Sequence, residues 1–156
     1  MKKFALGTAI CASALLGSAA IAQSFTYEVV WQPVESVGGM TGPDGPRYGG
    51  GTVTGSYTTT YADGRVATGT VKCVGMRQPE ASMFAIHMAC STSEAEGSGA
   101  LVYGCNYLGE PGPNTALGCV GGVEGKEGPL AGRRGSLTME WYSPTNSRGT
   151  GQWYGE

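Results

Sequence analysis

The chain has 156 residues, 28 of them glycine, with 10 Lys and Arg against 12 Asp and Glu and a formal net charge of −2. That length fits one domain with a real core rather than two, and the charge balance excludes a basic surface that tracks phosphates, so nucleic acid is not an expected partner. Glycine at this density opposes helix and favours turns, bulges and close strand approach.

Residues 1–22 read as a secretory leader. Lys2 and Lys3 precede an apolar run from Phe4 to Leu16, and small residues end at Ala20-Ile21-Ala22, an A-x-A cleavage pattern before Gln23. No later run is long and apolar enough to span a membrane. Cleavage after Ala22 leaves 23–156 as a single β-barrel domain with eight basic and twelve acidic residues, net −4. The expected location is periplasmic or secreted, in a bacterium.

The first strand is predicted over Phe25 to Trp31, aromatic and β-branched. Residues 32–50, with Pro33, Pro43, Pro46 and six glycines, are expected to form a loop without regular structure. Gly51 to Tyr61 and Val66 to Val74 flank the turn signal Ala62-Asp63-Gly64-Arg65. Alternation puts Val53, Tyr57 and Thr59 on one face of the first and a row of Thr and Ser on the other. In the second, Val71 and Cys73 share the more apolar face.

Ser82 to Cys90 alternates with Phe84, Ile86, Met88 and Cys90 in phase, which turns His87 to solvent. Ser91 to Gly99 is polar and reads as a solvated loop. Strands follow over Ala100 to Leu108, Thr115 to Val120, Ser136 to Tyr142 and Gly149 to Tyr154, with Glu124 and Glu127 in a Gly-rich turn. Eight short strands joined by hairpins argue for an all-β fold, a small antiparallel up-and-down barrel, with a β-sandwich as the alternative. Trp31 and Trp153, near the chain ends, should meet if first and last strands close the barrel.

With the leader and its Cys11 set aside, Cys73, Cys90, Cys105 and Cys119 remain, an even number in an exported chain, which implies two disulfides. No C-x-x-C occurs, and spacings of 17, 15 and 14 with one distant histidine make a poor zinc framework, so neither a metal nor a cofactor is expected. Opposed residues in a hairpin are symmetric about its turn. Cys73 and Cys90 centre just past Pro79-Glu80, and Cys105 and Cys119 centre on Gly112, which favours these two pairs. Cys90 with Cys105 and Cys73 with Cys119 is the less economical alternative. The third pairing would skip strands.

Gly121-Gly122-Val123-Glu124-Gly125, Leu130-Ala131-Gly132-Arg133-Arg134-Gly135 and Gly149-Thr150-Gly151-Gln152-Trp153 form a glycine ladder. It resembles the ladder near the end of allene oxide cyclase-like and dirigent-like barrels, and small exported proteobacterial proteins. The resemblance covers the last quarter of the chain. It implies an eight-stranded barrel with an apolar lumen that in some members binds or isomerises a hydrophobic ligand, and no catalytic residue carries over.

Candidate binding residues are Trp31, Tyr57, Trp141 and Trp153, which could line an apolar pocket, and Arg133 and Arg134, which could clamp an anion. No catalytic constellation is visible, since His87 has no accompanying nucleophile pattern. Three functions follow. The leading one is an exported, non-enzymatic barrel that binds a small hydrophobic ligand in its lumen. The second is a cyclase- or isomerase-type enzyme on a hydrophobic substrate. The third is an inhibitor or envelope interaction protein acting through its loops, with an envelope protein as partner and Arg47 and Tyr48 as contacts. An empty apolar lumen favours the first, a convergent acid or base inside the barrel the second, and a filled lumen the third.

Overall fold

Alternating strands that each hide one face can remove all their edges by closing on themselves, and this chain does so. The computed structural model describes residues 23–41, 47–78, 82–112 and 114–154; the leader expected over residues 1–22 lies outside them. The strands are β1 Gln23–Trp31, β2 Glu35–Thr41, β3 Arg47–Tyr61, β4 Val66–Arg77, β5 Ile86–Glu94, β6 Ser98–Tyr107, β7 Leu117–Glu127, β8 Arg134–Ser143 and β9 Asn146–Trp153. All pairings between them are antiparallel, in the order β1-β9-β8-β7-β6-β5-β4-β3-β2, and β1 also pairs with β3. Eight strands therefore form a closed up-and-down barrel, and β2 is an extra strand on β3. The only described helix is the single 3-10 turn Gly128–Leu130.

The 32–50 segment is not the irregular loop its composition predicts. β3 has 15 residues, long enough for β1 to pair with Gly55 to Tyr61 and β2 with Arg47 to Thr52. β2 continues the line of β1 after a break at 32–34. Its glycines are used rather than disruptive: Gly38 and Gly39 take φ of 81° and 109° at a bulge that only glycine accommodates without strain. The tip of this hairpin, with Pro43, lies outside the described residues, as do the side chains of Arg47 and Tyr48.

Two further predicted loops are strand. β5 runs on to Glu94 and β6 begins at Ser98, so Ser91 to Gly99 is mostly ladder. β7 runs to Glu127, which puts Glu124 and Glu127 in a strand; Glu124 accepts a 2.8 Å bond from Lys126 Nζ. Polar composition misleads here because every second residue of a barrel strand faces water. Phe84 precedes β5 and turns outward, lying over Gly104 and edge-on to the exposed His87 at 5.7 Å.

Inside, register explains the glycines. Phe25 lies opposite Gly151, Tyr27 opposite Gly149, Trp31 opposite Gly55, Tyr57 opposite Gly69 and Tyr103 opposite Gly121. A Cβ at Gly149 would sit 2.5 Å from the Tyr27 ring, and one at Gly55 would sit 2.9 Å from Trp31. A small barrel has room for a large ring only if the residue across the ladder has no side chain. The glycine ladder is thus the complement of an inward aromatic set.

The disulfides are Cys73–Cys90 and Cys105–Cys119, each joining directly opposed residues with Cα atoms 4.0 and 4.1 Å apart. Such short spacing belongs to the non-hydrogen-bonded pairs of an antiparallel ladder. All four cysteines are buried on the inner face.

Trp31 and Trp153 do not meet. Antiparallel closure puts Gln23 opposite Trp153 and carries Trp31 to the other end of the barrel. Trp153 packs on Phe25 at 6.0 Å between ring centroids.

Candidate ligand cavity

The two ends of the lumen differ. At the end of the barrel formed by the C-terminus of β1 and the N-termini of β5, β7 and β9, Trp31 stacks on Trp141 with centroids 4.5 Å apart and planes at 13°. Trp31 Nε1 donates to Ser147 Oγ at 2.9 Å, so its polar edge is satisfied where Ser147 is 1% exposed. Below and beside this stack, the disulfides, Met88 and Val53 fill the space.

At the opposite end the lumen is hollow. A cavity of about 470 Å³ reaches from the rim at Arg65, Glu96 and Arg133 down to Trp31. Its cause is again register: Gly99 faces Thr92 on one side and Gly125 on the other, and Thr59 faces Ala67. Where small meets small across neighbouring strands, nothing fills the lumen. Phe25, Val29, Leu101, Val123, Leu137 and Met139 contribute apolar walls.

Two hydrogen-bonded groups give these walls their polarity. The first is a strut: Tyr27 on β1 and Tyr103 on β6, on diametrically opposite strands, meet with their hydroxyls 2.9 Å apart. Tyr27 donates its one proton to Thr138 O at 2.7 Å, so Tyr103 must donate to Tyr27. Burial holds the Tyr27 hydroxyl far above the usual phenol range and pushes that of Tyr103 up to about 12.

The second is a row. Tyr57, Gly69 and Glu94 are mutually opposed on β3, β4 and β5, and the missing side chain of Gly69 lets the Tyr57 ring cross β4. Tyr57 OH donates to Glu94 Oε1 at 2.6 Å. Burial first, then the bond to Glu94, raises the Tyr57 pKa. Tyr61, two steps of the alternation further along β3, is raised by burial and next by the Glu94 charge. The ion pairs among the described residues are Arg65 with Asp63, Lys126 with Glu124 and Arg148 with Glu140, so Glu94 has no cationic partner there.

Of the predicted binding residues, Trp31, Tyr57, Trp153 and Arg133 line the cavity. Trp141 does not, because it backs Trp31 at the filled end, and Arg134 does not, because it is exposed on β8 opposite Glu124. Arg133 Nη2 donates to Tyr154 O at 3.1 Å, while its Nε is buried without a partner among the described residues. Sequence reasoning missed Thr92 and Glu94. Extending the inward phase of Met88 and Cys90 by two and four residues would have found both.

Among the described residues no group of three or more His, Cys, Asp or Glu is placed to hold a metal ion, and no helix is long and apolar enough to cross a membrane. Two buried disulfides are the chemistry of an oxidising compartment. In comparisons with known proteins, no family model, curated protein or solved structure matches the chain.

Proposed function

We propose that the chain is an exported protein, periplasmic or secreted after cleavage between Ala22 and Gln23, that binds a small hydrophobic ligand in its barrel lumen without transforming it. The observation that carries this reading is the cavity of about 470 Å³, open at one rim and walled by aromatic and aliphatic side chains. Its volume lies within the range of small-molecule sites, which are mostly apolar with a few placed polar groups. The leader pattern and the disulfides support export. Titration with the uncharged dye phenylnaphthylamine should give a saturable one-site rise in fluorescence. Leu101→Trp, which fills the lumen, should abolish that rise while leaving the β-sheet circular dichroism intact. Absence of binding, or equal binding by the filled variant, overturns the reading.

The second reading, a cyclase- or isomerase-type enzyme, has one observation in its favour: Glu94 in the lumen wall, bonded to a phenol. A carboxylate so placed could accept a proton from a bound substrate. Product formed from a hydrophobic substrate by the native protein and not by Glu94→Gln would establish it.

A further inference from the structure

From the Tyr57-Gly69-Glu94 row we infer that the ligand of this lumen carries a cationic nitrogen: a hydrophobic amine whose ammonium sits against Glu94 and whose apolar body fills the space above Trp31. The inference rests on the lumen-binding reading and narrows it to one class of ligand.

The argument is about an unmet charge. Glu94 lies in the wall of a largely apolar cavity, and its only side-chain hydrogen-bond donor among the described residues is the Tyr57 hydroxyl at 2.6 Å. A neutral phenol satisfies part of a carboxylate's acceptor capacity and none of its charge. A carboxylate at an apolar wall is stabilised by an opposite charge, and among the described residues no lysine, arginine or histidine forms an ion pair with Glu94.

Aromatic faces add to this. Tyr57 and Tyr61 stand beside Glu94, and ring faces attract cations: the Arg65 guanidinium already lies over the Tyr61 ring, 4.5 Å from its centroid. The charged lining groups are three carboxylates and two guanidiniums. Glu96 and Glu127 stand at the rim with Glu94, against Arg65 and Arg133. Arg65 is already paired with Asp63 at 2.9 Å, so the three carboxylates of the lining face one unpaired guanidinium, that of Arg133, and the rim carries a negative excess. The competing idea, an anion drawn to the free Nε of Arg133, would demand the opposite ligand.

Three probes of one shape decide between them: naphthylmethylamine, naphthylmethanol and naphthoate, titrated calorimetrically into the full chain with its disulfides intact at neutral pH. The amine should bind about tenfold more tightly than the alcohol, as for a charge-assisted hydrogen bond, and the naphthoate most weakly. Glu94→Gln should bring amine and alcohol to within about twofold of each other. On the native protein, independent of any variant, raising salt should weaken the amine and leave the alcohol unaffected. Naphthoate binding as tightly as the amine, or an amine preference that survives Glu94→Gln, overturns the cationic ligand while leaving lumen binding intact. Failure of all three probes overturns both.

Discussion

At one end of the barrel Trp31 and Trp141 stack over two disulfides, and at the other Thr92, Gly99 and Gly125 lie side by side on β5, β6 and β7 and bound an open space. The strands are the same strands at both ends. What differs is the pairing across the ladder. Side chain against side chain, as in Val53 to Cys73 to Cys90 and Cys105 to Cys119, fills the lumen; small against small leaves a void. A barrel of eight strands is just wide enough for its side chains to fill, so a few such choices decide which half is structure and which half is site.

The sharpest way to break this comparison is to hollow out the filled end. Trp31→Ala should cost about 3–5 kcal/mol in urea unfolding, because the stack and the bond to Ser147 go together and a cavity remains. Leu101→Ala, at the wall of the existing void, should fall at the low end, about 2 kcal/mol, because one side of that residue already lacks neighbours. Equal losses would mean that the two ends are packed alike.

A somewhat smaller effect is expected from opening a bridge. Replacing Cys105 and Cys119 together by alanine should lower stability by about 3 kcal/mol in the chain-entropy view of a loop this size. Dye binding at the other end should persist wherever the variant is folded. Loss of binding in a folded variant would show that the filled end holds the cavity's shape.

Alkaline pH tests the strut between the halves. The unfolded chain releases its phenolic protons near pH 10, whereas Tyr103 holds its proton until about 12. Between those values the unfolded state binds fewer protons, so stability is fully present below about pH 10 and falls as pH rises towards 12. The slope is about 1.4 kcal/mol per pH unit for this hydroxyl, and Tyr27, shifted in the same direction, adds to it. Urea midpoints from pH 9 to pH 12 should fall less steeply for Tyr103→Phe than for the native protein, so that the two curves converge as pH rises.

Much of the barrel is legible in the sequence because period two survives in β1, β3, β4 and β8, where Val, Thr, Tyr and Trp take alternate faces. The disulfide pairs are legible because hairpin symmetry is a counting argument, and their midpoints fall on turns. β2 was not legible, since Gly38, Gly39 and three successive glycines at 49–51 look like loop until a partner strand supplies their register. Glu94 was hidden for a related reason. Ser-Thr-Ser-Glu reads as solvated loop by composition, and only the phase carried over from Met88 and Cys90 turns Thr92 and Glu94 inward. The open end could not be read from single residues at all, because it depends on which small residue faces which.

The two bridges also bear on how such a chain acquires its covalent form. Each joins a cysteine to the next one along the sequence, 17 and 14 residues apart, and each lies within one hairpin. A chain that emerges N-terminus first from a pore therefore presents Cys90 to Cys73 before Cys105 is available, and Cys119 finds only Cys105 unpaired. Oxidation in order of appearance reaches the native connectivity without reshuffling, a step that otherwise takes seconds to hours.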